Sequence, residues 1–169
     1  MGTGHALSGM ARVALATGDA GQAERLLDEA ASVLRQAGPW FLSLSLYVRA
    51  ILAVRRGTPE QAIALVRESL TRIRELQDKF AFVYTLVALA AAAVLKGDDA
   101  WAARILGARD AVIERTGVTL VDPRVRDLQE QAEREARARL GADRWAQAYA
   151  AGRVASIDAL LKDIDDTRG

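Results

Sequence analysis

Residues 46–66 read LYVRAILAVRRGTPEQAIALV, and the fold turns on how this stretch is parsed. Leu46, Ala50 and Ala53 are separated by four and three residues, which puts them on one face of a helix. Gly57 follows where that helix must end, since glycine accepts the left-handed backbone of a C-terminal cap. Thr58-Pro59-Glu60-Gln61 is then a start signal, with a capping threonine, proline at the first helical position and glutamine three residues on. Ala62 and Val66 open a second apolar stripe at helical spacing. The stretch therefore predicts helix, glycine turn, helix.

The same unit recurs on both sides. Gly18, Gly57 and Gly97 lie 39 and 40 residues apart, and aligning on them brings six further columns into register. Before the glycine come Leu7, Leu46 and Leu86, then Ala11, Ala50 and Ala90, then Ala14, Ala53 and Ala93. After it come Ala23, Ala62 and Ala102, then Leu27, Val66 and Leu106, then Leu34, Ile73 and Ile113. Asp19, Thr58 and Asp98 each stand where an N-cap is needed. Helix pairs are thus expected at 3–17 and 20–37, 40–56 and 59–77, and 79–96 and 99–116. A pair of this kind cannot bury its apolar face alone and stacks on its neighbours.

The order Leu7, Ala11, Ala14, Gly18, Ala23, Leu27, Ala30 resembles the tetratricopeptide consensus. The resemblance implies an all-α, tetratricopeptide-like helical solenoid of about three helix pairs. The period is longer than the usual one of about 34. The consensus proline after the second helix is replaced near Arg35, Arg74 and Glu114. Residues 1–117 form the repeat region. Residues 118–169 are expected as C-terminal capping helices packed on the same single domain: one from Asp122-Pro123 to Leu140, ended by Gly141, one near 143–152, and a last one capped by Ser156. The helix up to Leu140 shows a narrow stripe of Val125, Leu128, Ala132, Ala136 and Leu140, as for a helix laid against the end of a stack.

Ala103-Arg104-Ile105-Leu106-Gly107-Ala108, Arg115-Thr116-Gly117, Leu140-Gly141, Trp145 to Arg153 and Ser156-Ile157-Asp158-Ala159-Leu160 are similar to the C-terminal end of large bacterial ATPase-type signalling regulators, the LuxR-type and adenylate-cyclase-linked proteins. That resemblance implies a cytoplasmic module of a transcriptional or signalling regulator, either a fragment or a stand-alone paralogue. The family's ATPase and DNA-binding parts have no counterpart here, so neither activity carries over.

Composition narrows the chemistry. The 169 residues contain no cysteine and one histidine, with 23 basic and 22 acidic side chains, which excludes disulfides, thiolate metal sites and cysteine nucleophiles. The charges are interspersed with no basic stripe, so direct nucleic-acid binding is not expected. Phe80 to Leu95 is the most apolar window and falls short of the roughly 20 residues needed to span a bilayer. No secretory signal opens the chain, and the expected location is the cytoplasm.

Gly2-Thr3-Gly4 lacks the lysine of a phosphate loop. His5 has no nucleophile motif or ligand set around it. Asp163, Asp165 and Asp166 lack the glycine and glutamate of a calcium loop. Trp40, Trp101 and Trp145 read as core or cap packing. No catalytic, cofactor-binding or metal-ligating residue emerges. What remains is the face that the first helix of each tetratricopeptide pair turns to the concave side. Arg12, Tyr47, Ile51, Arg55, Tyr84 and Val87 mark that expected groove, with Val54, Ala91 and Val94 mapped by register to the same face; it suits a protein or peptide partner, attached domains of the same regulator, or a small-molecule effector. The alternative function is structural, a homodimer formed through the solenoid edges.

Overall fold

The computed structural model describes residues 6, 9–10, 13, 19–37, 39–76, 79–118 and 122–166. Among them are eight helices and no strand: α1 Ala20–Ala37, α2 Pro39–Arg55, α3 Pro59–Leu76, α4 Lys79–Leu95, α5 Asp99–Thr116, α6 Pro123–Leu140, α7 Ala142–Arg153 and α8 Ile157–Asp166. Within the expected helix at 3–17, Ala6, Gly9, Met10 and Val13 are described and helical, while His5, Arg12 and Gly18 lie outside the described residues.

Local signals set the boundaries. Gly57, Gly97 and Gly141 have φ of 70°, 79° and 83°, the left-handed region where a side chain would be strained. The α2–α3 and α4–α5 turns are built alike. Gly57 N–H donates to Val54 O and Thr58 N–H to Ala53 O, while Gly97 N–H donates to Val94 O and Asp98 N–H to Ala93 O, all at 3.0 Å. Asp19, Asp98, Asp122 and Ser156 cap α1, α5, α6 and α8, accepting from the N–H of Gln22, Trp101, Arg124 and Ala159 at 2.8, 3.0, 3.1 and 3.1 Å. Thr58 departs from the expected box: its hydroxyl lies 3.0 Å from Ala53 O and 3.3 Å from Gln61 Oε1, tying the turn back onto α2.

Each helix from α1 to α6 packs on the next in sequence. In addition α2 packs on α4, α4 on α6, and α5 on α7, while α8 touches α3. Helix α4 is the hub. Every residue from 81 to 94 is buried, as its lack of any polar face requires. The buried hydroxyl of Thr85 meets that of Ser69 of α3 at 3.3 Å, so neither is left unsatisfied. No described helix is long and apolar enough to cross a membrane.

Among the described residues the aligned columns are buried, except that Ile113 is half-buried where Ile73 is at 3 %. Ala23, Ala62 and Ala102 are each 0 % exposed, and Leu27, Val66 and Leu106 are 1 % or less. The pairwise packing does not stop at Gly117. Helix α6 continues the row begun by α2 and α4, and α7 packs on α5. At the α5–α7 crossing the two backbones come into contact. A Cβ placed on Gly107 would sit 2.1 Å from Tyr149 O, and one on Gly152 would sit 1.9 Å from Arg104 O. Only hydrogen at both positions lets these backbones touch.

Candidate functional site

Helix α4 forms the floor of a channel, and α2 and α6 form its walls. At the upper end the walls meet. Tyr47 of α2 and Tyr84 of α4 pack edge to face, centroids 5.7 Å apart at 60°. The Tyr84 hydroxyl accepts from Asp122 N–H at 3.4 Å, and Asp122 also binds the Arg124 guanidinium at 3.0 Å. The void left there, about 20 Å³ between Tyr47, Val48, Ile51, Arg55 and the Asp122–Val125 turn, has room for about one water molecule.

This corrects the expected groove. Tyr47, Tyr84 and Val87 are 3 %, 2 % and 0 % exposed and cannot meet an outside ligand. They face the seams between successive helices, where their apolar rings and side chains gain more from burial than from an open face. Ile51 is buried at 8 % against the small void, Arg55 is exposed, and Arg12 lies outside the described residues.

At the lower end the walls part into an open cleft of about 380 Å³. Its lining is aliphatic, from Val54 on α2, Ala91, Val94 and Leu95 on α4, and Leu128 and Ala132 on α6. Leu95 is 46 % exposed, although the residues before it are buried. Arg55 stands on the α2 side, with Gln131 and Glu135 on the α6 side. Glu135 accepts from Gln131 Nε2 at 3.0 Å and faces Arg139 at 3.7 Å. Arg139 in turn clamps the end of α4: it donates to both Asp99 oxygens at 2.9 and 2.8 Å and to Val94 O at 3.2 Å. The Asp99 hydrogen bond raises the Arg139 pKa above its ordinary value, and the cation sits where the carbonyl end of α4 favours one.

Of the residues that register places on the groove face, Val54, Arg55, Ala91 and Val94 line this cleft, while Leu95, Leu128, Gln131 and Glu135 were not anticipated. The last three were missed because α6 was read as an end cap. Its stripe of Leu128 and Ala132 was the available signal.

A second polar cluster lies between α5 and α7. The Tyr149 hydroxyl donates to Asp110 at 2.6 Å, Arg109 Nη2 binds Asp110 at 2.8 Å, and Arg153 pairs with Glu114. Arg109 is 6 % exposed, and its Nε and Nη1 have no partner. Burial pushes its pKa down against the pull of Asp110. Trp145, buried at 4 %, stacks on Tyr149 with centroids 6.1 Å apart and carries Arg137 over its ring at 4.9 Å. Trp101 is likewise in the core at 7 %, and Trp40 is without a described side-chain environment.

Among the described residues no group of three or more histidine, aspartate or glutamate side chains is placed to hold a metal ion. The cleft lining contains one guanidinium, one amide, one carboxylate and no hydroxyl, thiol or imidazole. The chain matches no protein-family model, curated protein or solved structure.

Proposed function

We propose that this chain is a non-enzymatic recognition module of a bacterial signalling or transcription regulator, working in the cytoplasm. Its helices form a tetratricopeptide-like stack that takes a peptide or small effector in the cleft between α2, α4 and α6. The observation that carries this reading is the cleft itself. Two helices related by the repeat, α2 and α4, together with α6 leave an aliphatic surface open, and Leu95 is partly exposed to solvent at 46 %. Two things support the tetratricopeptide-like reading: the matched burial of the aligned columns, and the duplicated hydrogen bonding of the Gly57 and Gly97 turns. A change in the angle between α2 and α6 on binding would pass to whatever domains the regulator attaches.

The test is selection of binders from a displayed peptide library, together with a small-molecule thermal-shift screen, on the wild-type chain. Hits are then rescreened on Leu95→Glu. Loss of most hits, with an unchanged helical circular dichroism spectrum, supports the cleft. Hits that bind both proteins equally would place recognition elsewhere. Solution mass measured alongside decides the structural alternative: a concentration-independent dimer in which the Leu95→Glu substitution restores the monomer would make the cleft a self-association surface.

A further inference from the structure

Among the described residues α3 and α5 both pack on α4 but scarcely on each other. Helix α8 bridges that seam: it packs on α3, and the Arg104–Asp163 ion pair at 3.0 Å ties it to α5. Leu160 anchors it, 2 % exposed and part of the main core cluster. Asp163 stands three residues on, where a helix brings it to the same face, while Asp158 and Lys162 are exposed. In the sequence Ile157, Leu160, Leu161 and Ile164 recur at i, i+3, i+4 and i+7. That is the spacing with which an amphipathic helix enters the groove of another protein. Helix α8 is thus seated on the stack as a bound helix would be.

Its attachment is separable from the rest of the fold. Ten residues are fewer than the roughly 12–15 that sustain an isolated helix in water, so α8 stays helical through docking. The link from α7 is exposed, with Val154 at 87 %, and is turned by Ala155 N–H donating to Gly152 O at 3.0 Å. Helices α1 to α7 pack on one another without α8. Burying a leucine favours docking by a factor of about 10–150. An ion pair as exposed as this one, with Arg104 at 36 % and Asp163 at 24 %, adds a factor of about five at most. Elements held in this way open well before the core does.

We propose that α8 is a displaceable strap over a docking groove between α3 and α5. The partner of this groove is an amphipathic helix of another protein with the α8 pattern, an apolar stripe carrying a leucine and, three residues on, a carboxylate for Arg104. A partner helix that is longer than α8 and already ordered displaces it, because it loses less conformational freedom on binding. No residue of α3, α5 or α8 lines the cleft between α2, α4 and α6, so this site stands or falls apart from that one.

The experiment is amide hydrogen exchange on the full chain, followed by binding of a fluorescent peptide of residues 156–166 stapled across the exposed positions 158 and 162. Amides of α8 are expected to be protected by no more than about a thousandfold, the product of the two factors above. Those of α4 should exchange only through global opening, about ten-thousandfold slower than the free chain or more. Leu160→Glu should release α8 while α4 keeps its protection. The stapled peptide is then expected to bind that variant at least about tenfold more tightly than the wild type, whose own strap competes for the groove. Arg104→Glu in the same background should weaken the peptide several-fold, and a peptide carrying Asp163→Arg should regain the loss. Protection of α8 equal to that of α4 overturns the proposal, as does loss of α4 protection in Leu160→Glu, which would make α8 part of the core. Equal affinity for both chains, or indifference to Arg104→Glu and to Leu160→Glu in the peptide, places the peptide elsewhere and overturns the groove. Failure of the peptide to bind the folded Leu160→Glu chain does the same. A wild-type dimer that Leu160→Glu returns to monomer would make a second copy the occupant and overturn the choice of partner.

Discussion

Replacing Gly107 with alanine tests the backbone contact between α5 and α7. The added Cβ would lie 2.1 Å from Tyr149 O, 3.0 Å from Tyr149 C and 3.2 Å from Arg153 N. All three are backbone atoms of α7, so no side chain can rotate away. Carbon and oxygen need well over 3 Å, and the two helices must therefore part by about 1 Å. Overpacking of this kind costs about 1–3 kcal/mol. The upper end applies here, because the shift also lengthens the Tyr149–Asp110 hydrogen bond at 2.6 Å, worth about 1 kcal/mol. Alanine returns about 1 kcal/mol in helix propensity. The net loss is about 3 kcal/mol, which for a chain of this size lowers Tm by about 6–12 °C. Urea and thermal denaturation followed by circular dichroism would read it. Gly21 provides the control. It lies exposed in the first turn of α1, and a Cβ there meets nothing closer than 3.7 Å. Gly21→Ala should therefore gain about 0.5 kcal/mol. If Gly107→Ala melts within a degree or two of the wild type, α5 and α7 do not cross with their backbones in contact.

Three further outcomes follow from the α5–α7 cluster. Arg109→Met should leave stability unchanged or raise it by up to about 2 kcal/mol, because a buried guanidinium with two unpaired nitrogens is replaced by an apolar chain of similar reach; a loss of that size in urea melts would contradict it. Burial and the hydrogen bond to Asp110 raise the Tyr149 pKa above 10.0. Its contribution is then complete below that value and disappears as pH rises through the folded-state pKa. Tyr149→Phe should flatten the fall in the urea midpoint above about pH 10, and an unchanged slope counts against the assignment. The Arg153 hydrogen bond holds the Glu114 carboxyl below its ordinary 4.5. In Arg153→Gln, carboxylate NMR should show Glu114 titrating higher, and no movement would mean that the pair does not persist in solution.

Much of the fold was legible because its signals are local. Gly57 and Gly97 end helices, Asp98 and Asp122 begin them, and Pro59 and Pro123 sit at first helical positions. All act within a turn of the residue concerned. Hence the described boundaries fall within about two residues of those expected. The repeat columns carried the next level, since alanine and leucine recurring at fixed offsets must bury together. The α5–α7 crossing was different. Gly107 and Gly152 stand 45 residues apart in separate segments, and neither shows by itself that its missing side chain faces the other's backbone.

The site was less legible, for a physical reason. An amphipathic helix announces which side meets water, and α1 and α3 do so. Helix α4 runs from Phe82 to Val94 with Thr85 as its one polar residue, and a helix apolar all round carries no such information. Register alone then assigned Tyr84 and Val87 to the open side, when their neighbours enclose them at 2 % and 0 % exposure. What breaks the symmetry of α4 is α6, and α6 is the helix whose charge-rich sequence argued for the periphery. Its position along α4 is set by Val125, Ala132 and Ala136, the three residues it buries, and by the reach of Arg139 to Asp99 and Val94. Two of those apolar contacts are alanines, which are too small to fill the space between α2 and α6. The opening at Leu95 therefore follows from how little apolar bulk α6 presents. Enlarging Ala132 should close it, where adding bulk to the solvent face of α6 should not.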